Sequence, residues 1–223
     1  MLPWIIWSVI ILAPFVVGGT LAFRTLRRVR KADRAMTALA GDPGWSRLER
    51  GPDGAEWAGY AGHFPWLLRT RHGTGATGPL GEHRVTVARR WEPSGRRDVR
   101  HWLIVSFEVP GDRPALRLER AWSAAKLGLR SPDGVPYLPM SADSAGTAER
   151  FHASDLPQRL VRFAGPAVSV SADGVCFVYP MPDVTSLDRL LEELAALIPD
   201  LTALARASTG PEGQDQDQDQ GRP

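Results

Sequence analysis

The feature that most constrains this chain is its first segment. Leu2 to Phe23 (LPWIIWSVIILAPFVVGGTLAF) runs 22 residues without a charged side chain. As an α-helix at 1.5 Å per residue such a run covers about 33 Å, enough for a hydrocarbon core of ~30 Å. Twelve of its residues are Leu, Ile, Val or Phe. Each is worth roughly −0.3 to −0.6 kcal/mol near a bilayer centre, so insertion is favoured by several kcal/mol before Pro, Gly and end effects are discounted. Pro14 and the Gly18-Gly19 pair are tolerated in membrane helices when freed backbone groups find partners, with a kink expected near Pro14. A cleavable signal peptide fits less well, because nothing basic precedes the run, the apolar stretch is too long, and only Thr20-Leu21-Ala22 resembles a cleavage site. A buried core helix would seldom be uncharged all round over this length. Residues 1–23 are therefore expected to be a transmembrane helix.

The next stretch sets an orientation. Arg24, Arg27, Arg28, Arg30, Lys31 and Arg34 stand against one acid, Asp33, a net +5. By the positive-inside rule the body of the chain faces the cytoplasm of a cell membrane and the N-terminus lies outside, with Trp4 and Trp7 in the outer interfacial belt. Residues 24–40 lack Gly and Pro and space Leu26, Val29, Met36 and Leu39 near helical steps, so the anchor helix is expected to continue into the cytosol as a basic juxtamembrane helix that ends at Gly41 and Pro43. The six cations serve topology, and as an added role they are candidates for contact with the membrane surface and its anionic lipid headgroups.

Charge elsewhere is balanced. Glu212, Asp215, Asp217 and Asp219 against Arg222 give the C-terminal end −3, and the remaining residues between the two charged stretches carry no net charge, since the whole chain is +2. A nucleic-acid partner thus lacks electrostatic support. Lys occurs only at Lys31 and Lys126, so positive charge is nearly all Arg, a bias that fits a GC-rich genome. Residues 208–223, with their Gln-Asp alternation, have little apolar surface to bury and read as a disordered acidic tail.

Residues 41–207 are expected to form one α+β domain, a mostly antiparallel sheet with packed helices. Strand candidates are Trp66 to Arg71, His83 to Trp91, His101 to Val109, Ala115 to Ala121, Ala167 to Ser171 and Val175 to Tyr179. Val85 and Val87 alternate with Arg84, Thr86 and Ala88 as in a half-buried strand. Pro93-Ser94-Gly95 and Ser171-Ala172-Asp173-Gly174 read as turns between paired strands. Ser154 or Asp155 caps a short helix with Pro157 in its first turn and Gly165 beyond its end. A longer helix begins near Asp183, Thr185 or Ser186 and carries an apolar stripe from Leu187 to Leu204, with a break expected after Ile198 because of Pro199.

Catalytic chemistry is not evident. Gly73-Thr-Gly75-Ala-Thr-Gly78 matches G-x-G-x-x-G in letters, but no helix is expected after it, so it reads as a hairpin loop. His63, His72, His83 and His101 are too far apart for a compact zinc spacing, and no cofactor motif is present. Cys176, the only cysteine, agrees with a reducing compartment and sits in an apolar run as a buried small hydrophobe. His152 beside Ser154 and Asp155 is explained by helix capping rather than a hydrolytic triad.

The N-terminal span, the Arg-rich helix, Gly44-Trp45, Pro114-Ala115-Leu116-Arg117-Leu118 after a hydrophobic strand and Arg150-Phe151-His152 before the Leu160 helix together resemble a group of uncharacterised single-span membrane proteins of GC-rich bacteria. That resemblance implies membrane anchorage and transfers no activity or site residues. The expected function is a membrane-tethered interaction or sensing module with an unidentified protein partner. The alternative is a membrane-anchored, hydrolase-type enzyme whose site is assembled from distant residues such as His63, His83, His101 and Glu108.

Overall fold

A computed structural model describes residues 2–48, 63–64, 66–67, 70–94, 98–112, 114–120, 137–141, 144–163, 165–180 and 186–207. Its elements are α1 (Leu2–Leu39), β1 (Ser46–Arg47), β2 (Arg71–Leu80), β3 (His83–Ser94), β4 (Asp98–Glu108), β5 (Leu116–Arg120), β6 (Tyr137–Met140), α2 (Ser144–Ala153), α3 (Leu156–Arg162), β7 (Ala167–Ser171), β8 (Gly174–Pro180), α4 (Leu187–Ala195) and α5 (Ile198–Ala207). The strands form one eight-stranded sheet in the order β1-β2-β3-β4-β8-β7-β5-β6, with every neighbouring pair antiparallel. The fold is therefore α+β around an antiparallel sheet, as the alternating strands lead one to expect.

The two-residue period of a strand divides the side chains between two faces. On one face Ala76, Val85, Val87, Leu103, Val105, Phe107, Leu116, Leu118, Val168, Phe177 and Tyr179 meet the helices in the main core. Phe151 of α2, Leu156 and Leu160 of α3, Leu187, Leu191 and Leu194 of α4 and Leu201 of α5 complete it. Each large side chain fully removed from water here contributes roughly 1.5–3 kcal/mol. The opposite face carries a smaller cluster, in which Leu48, Phe64, Trp66 and Leu67 cover Ala88, Trp102, Ile104, Cys176 and Val178.

One expectation holds and several change. The basic stretch continues the helix of the uncharged run, as expected: α1 is one helix from Leu2 to Leu39. What was not expected is that its last third enters the domain core through Ala32, Met36 and Leu39. The domain thus begins near Val29 rather than at residue 41, because the apolar positions at 29, 32, 36 and 39 fall on one helical face and bury against β2, β3 and α4. Among the described residues no helix is long and apolar enough to cross a membrane. Most side chains from 2 to 22 lie outside the described set, so the reading of residues 1–23 as a transmembrane span stands on the apolar sequence alone.

Of the strand candidate Trp66 to Arg71, Trp66 and Leu67 lie in a 3₁₀ turn and β2 starts only at Arg71. The glycine motif that reads as a hairpin loop lies in the middle of β2, with a register shift at Gly73-Thr74 and Gly75 to Gly78 paired with Ala88 to Val85 of β3. Its glycines serve close packing. A Cβ on Gly75 would stand 2.6 Å from Leu48 Cδ1, and one on Gly78 would stand 2.3 Å from Trp45 Cδ2. The long C-terminal helix is two helices that part at Ala196-Leu197, before Ile198, so that Pro199 lies in the first turn of α5, where its missing N–H breaks no helical bond. α2, β1 and β6 were not expected, since their segments are short or rich in small residues.

Other local readings hold. Ser186 caps α4, its Oγ accepting from the Arg189 N–H at 3.3 Å. At α3 the hydroxyl of Ser154, and not the side chain of Asp155, accepts from the Leu156 N–H at 3.3 Å, with Pro157 in the first turn as expected. Ala172-Asp173 forms the two-residue link between the paired Ser171 and Gly174. The acidic tail, residues 208–223, lies outside the described residues.

Candidate functional site

An α-helix turns by about 100° per residue, which sorts the basic stretch of α1 into two faces. Val29, Ala32, Met36 and Leu39 point into the domain and are buried. Arg27, Arg30, Lys31 and Arg34 fall on the far side, Arg24 and Arg28 lie toward its margin before the helix meets the domain, and all six are exposed. The helix therefore presents a cationic surface directly behind the surface that holds it to the sheet.

Asp33, the single acid of this stretch, belongs to neither set. Its Oδ1 accepts from Arg89 Nε of β3 at 2.7 Å, with Arg89 mostly buried. The carboxylate is drawn toward the sheet and away from the cationic face. The same guanidinium reaches His101 of β4, at 3.3 Å from Nδ1. Because Arg only donates, His101 Nδ1 accepts, and the ring proton sits on Nε2. Burial lowers the His101 pKa below its ordinary 6.5, Arg89 lowers it further, and Asp33 opposes both. This clasp ties α1 to β3 and β4, and the only trace of it in the sequence is one acid inside a basic run.

Two grooves flank the cationic surface. One, of about 440 Å³, is lined by Arg24, Arg27, Arg28 and Lys31. The other, of about 370 Å³, is lined by Phe23, Leu26, Arg27, Arg30, Lys31 and Arg34. Phe23 is 65% exposed and Leu26 47%, and Val16 further up the helix is 60% exposed. Phe23 and Leu26 thus stand beside the cations of the second groove. Sequence reasoning identified the cations and missed the exposure of Phe23 and Leu26, because periodicity alone assigned Leu26 to the apolar stripe of the juxtamembrane helix.

The residues named for an assembled catalytic site are not brought together. His83 and His101 project toward the helix-covered face, where His83 packs edge-on to Phe107 with ring centroids 6.1 Å apart. Glu108 projects toward the other face and pairs with Arg84 at 3.6 Å. His63 lies on that second face too, but its Nδ1 meets the hydroxyl of Ser169 at 3.1 Å, with both groups almost wholly buried. Burial lowers the His63 pKa, a nearby Asp173 raises it and Arg117 lowers it. The pair fastens the Phe64–Leu67 turn to β7 and offers no approach to a substrate. Cys176 is fully buried in the same layer, and its thiol pKa is pushed far up by desolvation, which suits a packing residue and not a nucleophile. His152 is exposed on α2, and the His72 side chain lies outside the described residues. Among the described residues no three His, Cys, Asp or Glu side chains converge on a common metal position.

No protein-family model, curated protein or solved structure matches this chain.

Proposed function

We propose that the protein is a membrane-tethered interaction or sensing module, with α1 as the tether and the α+β domain on the cytoplasmic side. One observation carries this reading: a single 38-residue helix is uncharged as far as Phe23, cationic from Arg24, buried at Val29 and part of the domain core from Ala32. At 1.5 Å per residue it is about 57 Å long, of which roughly the first 33 Å matches a bilayer core. The remainder is fixed to β2, β3 and α4 by buried side chains and by the Asp33–Arg89 pair.

A tether built this way differs from a span joined to its domain by a flexible linker. With no loop between apolar segment and core, the domain is held against the headgroup layer in one orientation, and a force or tilt on the span reaches the sheet directly. That suits a module whose partner is also at the membrane. The resemblance to single-span proteins of GC-rich bacteria points the same way.

The test is membrane residence and sidedness of the intact chain. The protein is expected in the membrane fraction after alkaline carbonate extraction, and protease should remove the domain from inverted vesicles but not from intact spheroplasts. Release by carbonate would overturn the span, and cleavage from outside would overturn the orientation.

A further inference from the structure

We propose that the flank of α1 bounded by Phe23, Leu26, Arg27, Arg30, Lys31 and Arg34 binds the headgroup of an anionic phospholipid. This rests on the tether reading and names the ligand class for its exposed face.

The argument is one of order along the helix. The groove of about 370 Å³ begins with two exposed apolar side chains, Phe23 and Leu26, next to the uncharged run. It ends with Arg30, Lys31 and Arg34, about two to three helical turns beyond the end of that run. A phospholipid at a membrane surface has the same polarity sequence, acyl chain first and phosphate after. Arginine forks bind phosphate oxygens in pairs, which makes Arg27, Arg30 and Arg34 suited to a phosphodiester. Withdrawal of Asp33 into its pair with Arg89 removes the one like-charged competitor of the phosphate from this stretch. The acidic tail of the chain is the other candidate occupant. Residues 208–223 contain no Leu, Ile, Val, Met or aromatic side chain that could cover Phe23 and Leu26, so the lipid fits the whole groove and the tail only its cationic end.

The experiment uses the intact chain in neutral detergent micelles, titrated with fluorescent phosphatidylglycerol or phosphatidylcholine and read by anisotropy. Phosphatidylglycerol is expected to bind at least tenfold tighter. Each cation near an anionic surface is worth about 1 kcal/mol, so the triple variant Arg27→Gln/Arg30→Gln/Arg34→Gln should bind phosphatidylglycerol on the order of a hundredfold more weakly. The matching Arg→Lys triple variant should keep most of the preference, and Phe23→Ala/Leu26→Ala should weaken binding of both lipids. Equal affinity for the two lipids, or an unchanged triple Gln variant, would overturn the proposal. Displacement of bound lipid by millimolar inorganic phosphate would do so as well, by revealing a free-phosphate site. So would displacement by a peptide of residues 208–223, which would give the groove to the tail. Failure here is separate from failure of the tether: a wild-type chain that resists carbonate extraction yet shows no lipid preference loses only this proposal.

Discussion

Replacing Met36 by Ala tests the claim that the domain core begins inside α1. Met36 has no exposed surface and lies in the main cluster with Ala32 and Leu39 of the same helix. Truncation removes its Cγ, Sδ and Cε, and buried Met→Ala changes cost ~2–5 kcal/mol through lost transfer energy plus the cavity left behind. The flexible neighbours of a helix end allow some collapse, which sets the expectation near 3 kcal/mol. For a unit running from Val29 to Ala207, about 180 residues, each kcal/mol moves the melting midpoint by about 2–4 °C, so a drop of ~6–12 °C follows. Thr37, one residue on, is exposed and uses its hydroxyl only on the Asp33 carbonyl of its own helix at 2.8 Å. Thr37→Ala should therefore be neutral or stabilise by a few tenths of a kcal/mol, since Ala is the better helix former. The assay is thermal or urea unfolding of the intact chain in mild detergent, followed by tryptophan fluorescence. If Met36→Ala cost no more than Thr37→Ala, α1 would not be part of the folding unit, and the rigid coupling between the uncharged run and the domain would fall with it.

Three further outcomes can be measured on the same material. Gly78→Ala drives a Cβ to 2.9 Å of the Trp45 Cα, a backbone atom that cannot swing away, and should cost about 3 kcal/mol. Gly81→Ala meets open space and suffers only the strain of φ +59°, about 1–2 kcal/mol, so reversal of this ranking by urea unfolding would contradict the packing of Trp45 on β2. His63 and His101 both have folded-state pKa values below the ordinary 6.5, so below about pH 6.5 the unfolded chain binds more protons and stability falls with pH. The double variant His63→Gln/His101→Gln should lose less midpoint between pH 7.5 and 5.5 than the wild type, and an equal loss would remove the histidines as the cause. Cys176 should react with a thiol reagent only as fast as the protein opens and fully in denaturant, whereas rapid native labelling would show that the layer of Phe64, Trp66 and Trp102 does not seal β8.

Where local chemistry was decisive, the sequence was legible. Ser186 and Pro157 sit where helix capping and a fixed φ require them, and the alternating residues Arg84 to Trp91 pair with β4, whereas Pro93 and Ser94, expected in the turn, continue the strand opposite Val99 and Asp98. Where a neighbour distant in sequence decides, it was not. Gly73 to Gly78 has the letters of a flexible loop, yet it is a strand because Trp45 and Leu48 fill the space above the missing side chains. Pro199 signalled an interruption, but its position in the first turn of α5 depended on Leu197, Ile198 and Leu201 all reaching the core.

The same division holds for the candidate surface. Composition alone determined that residues 2 to 23 are uncharged and that six cations follow, since those are properties of the covalent chain and of transfer energies summed residue by residue. Which way each cation points was decided by the sheet. Burying Val29, Ala32, Met36 and Leu39 fixes the rotation of α1 about its axis, and Arg89 then draws Asp33 inward. A helix has no preferred rotation until a surface packs against it, and so the cationic face, with Phe23 and Leu26 beside it, exists only in the folded domain.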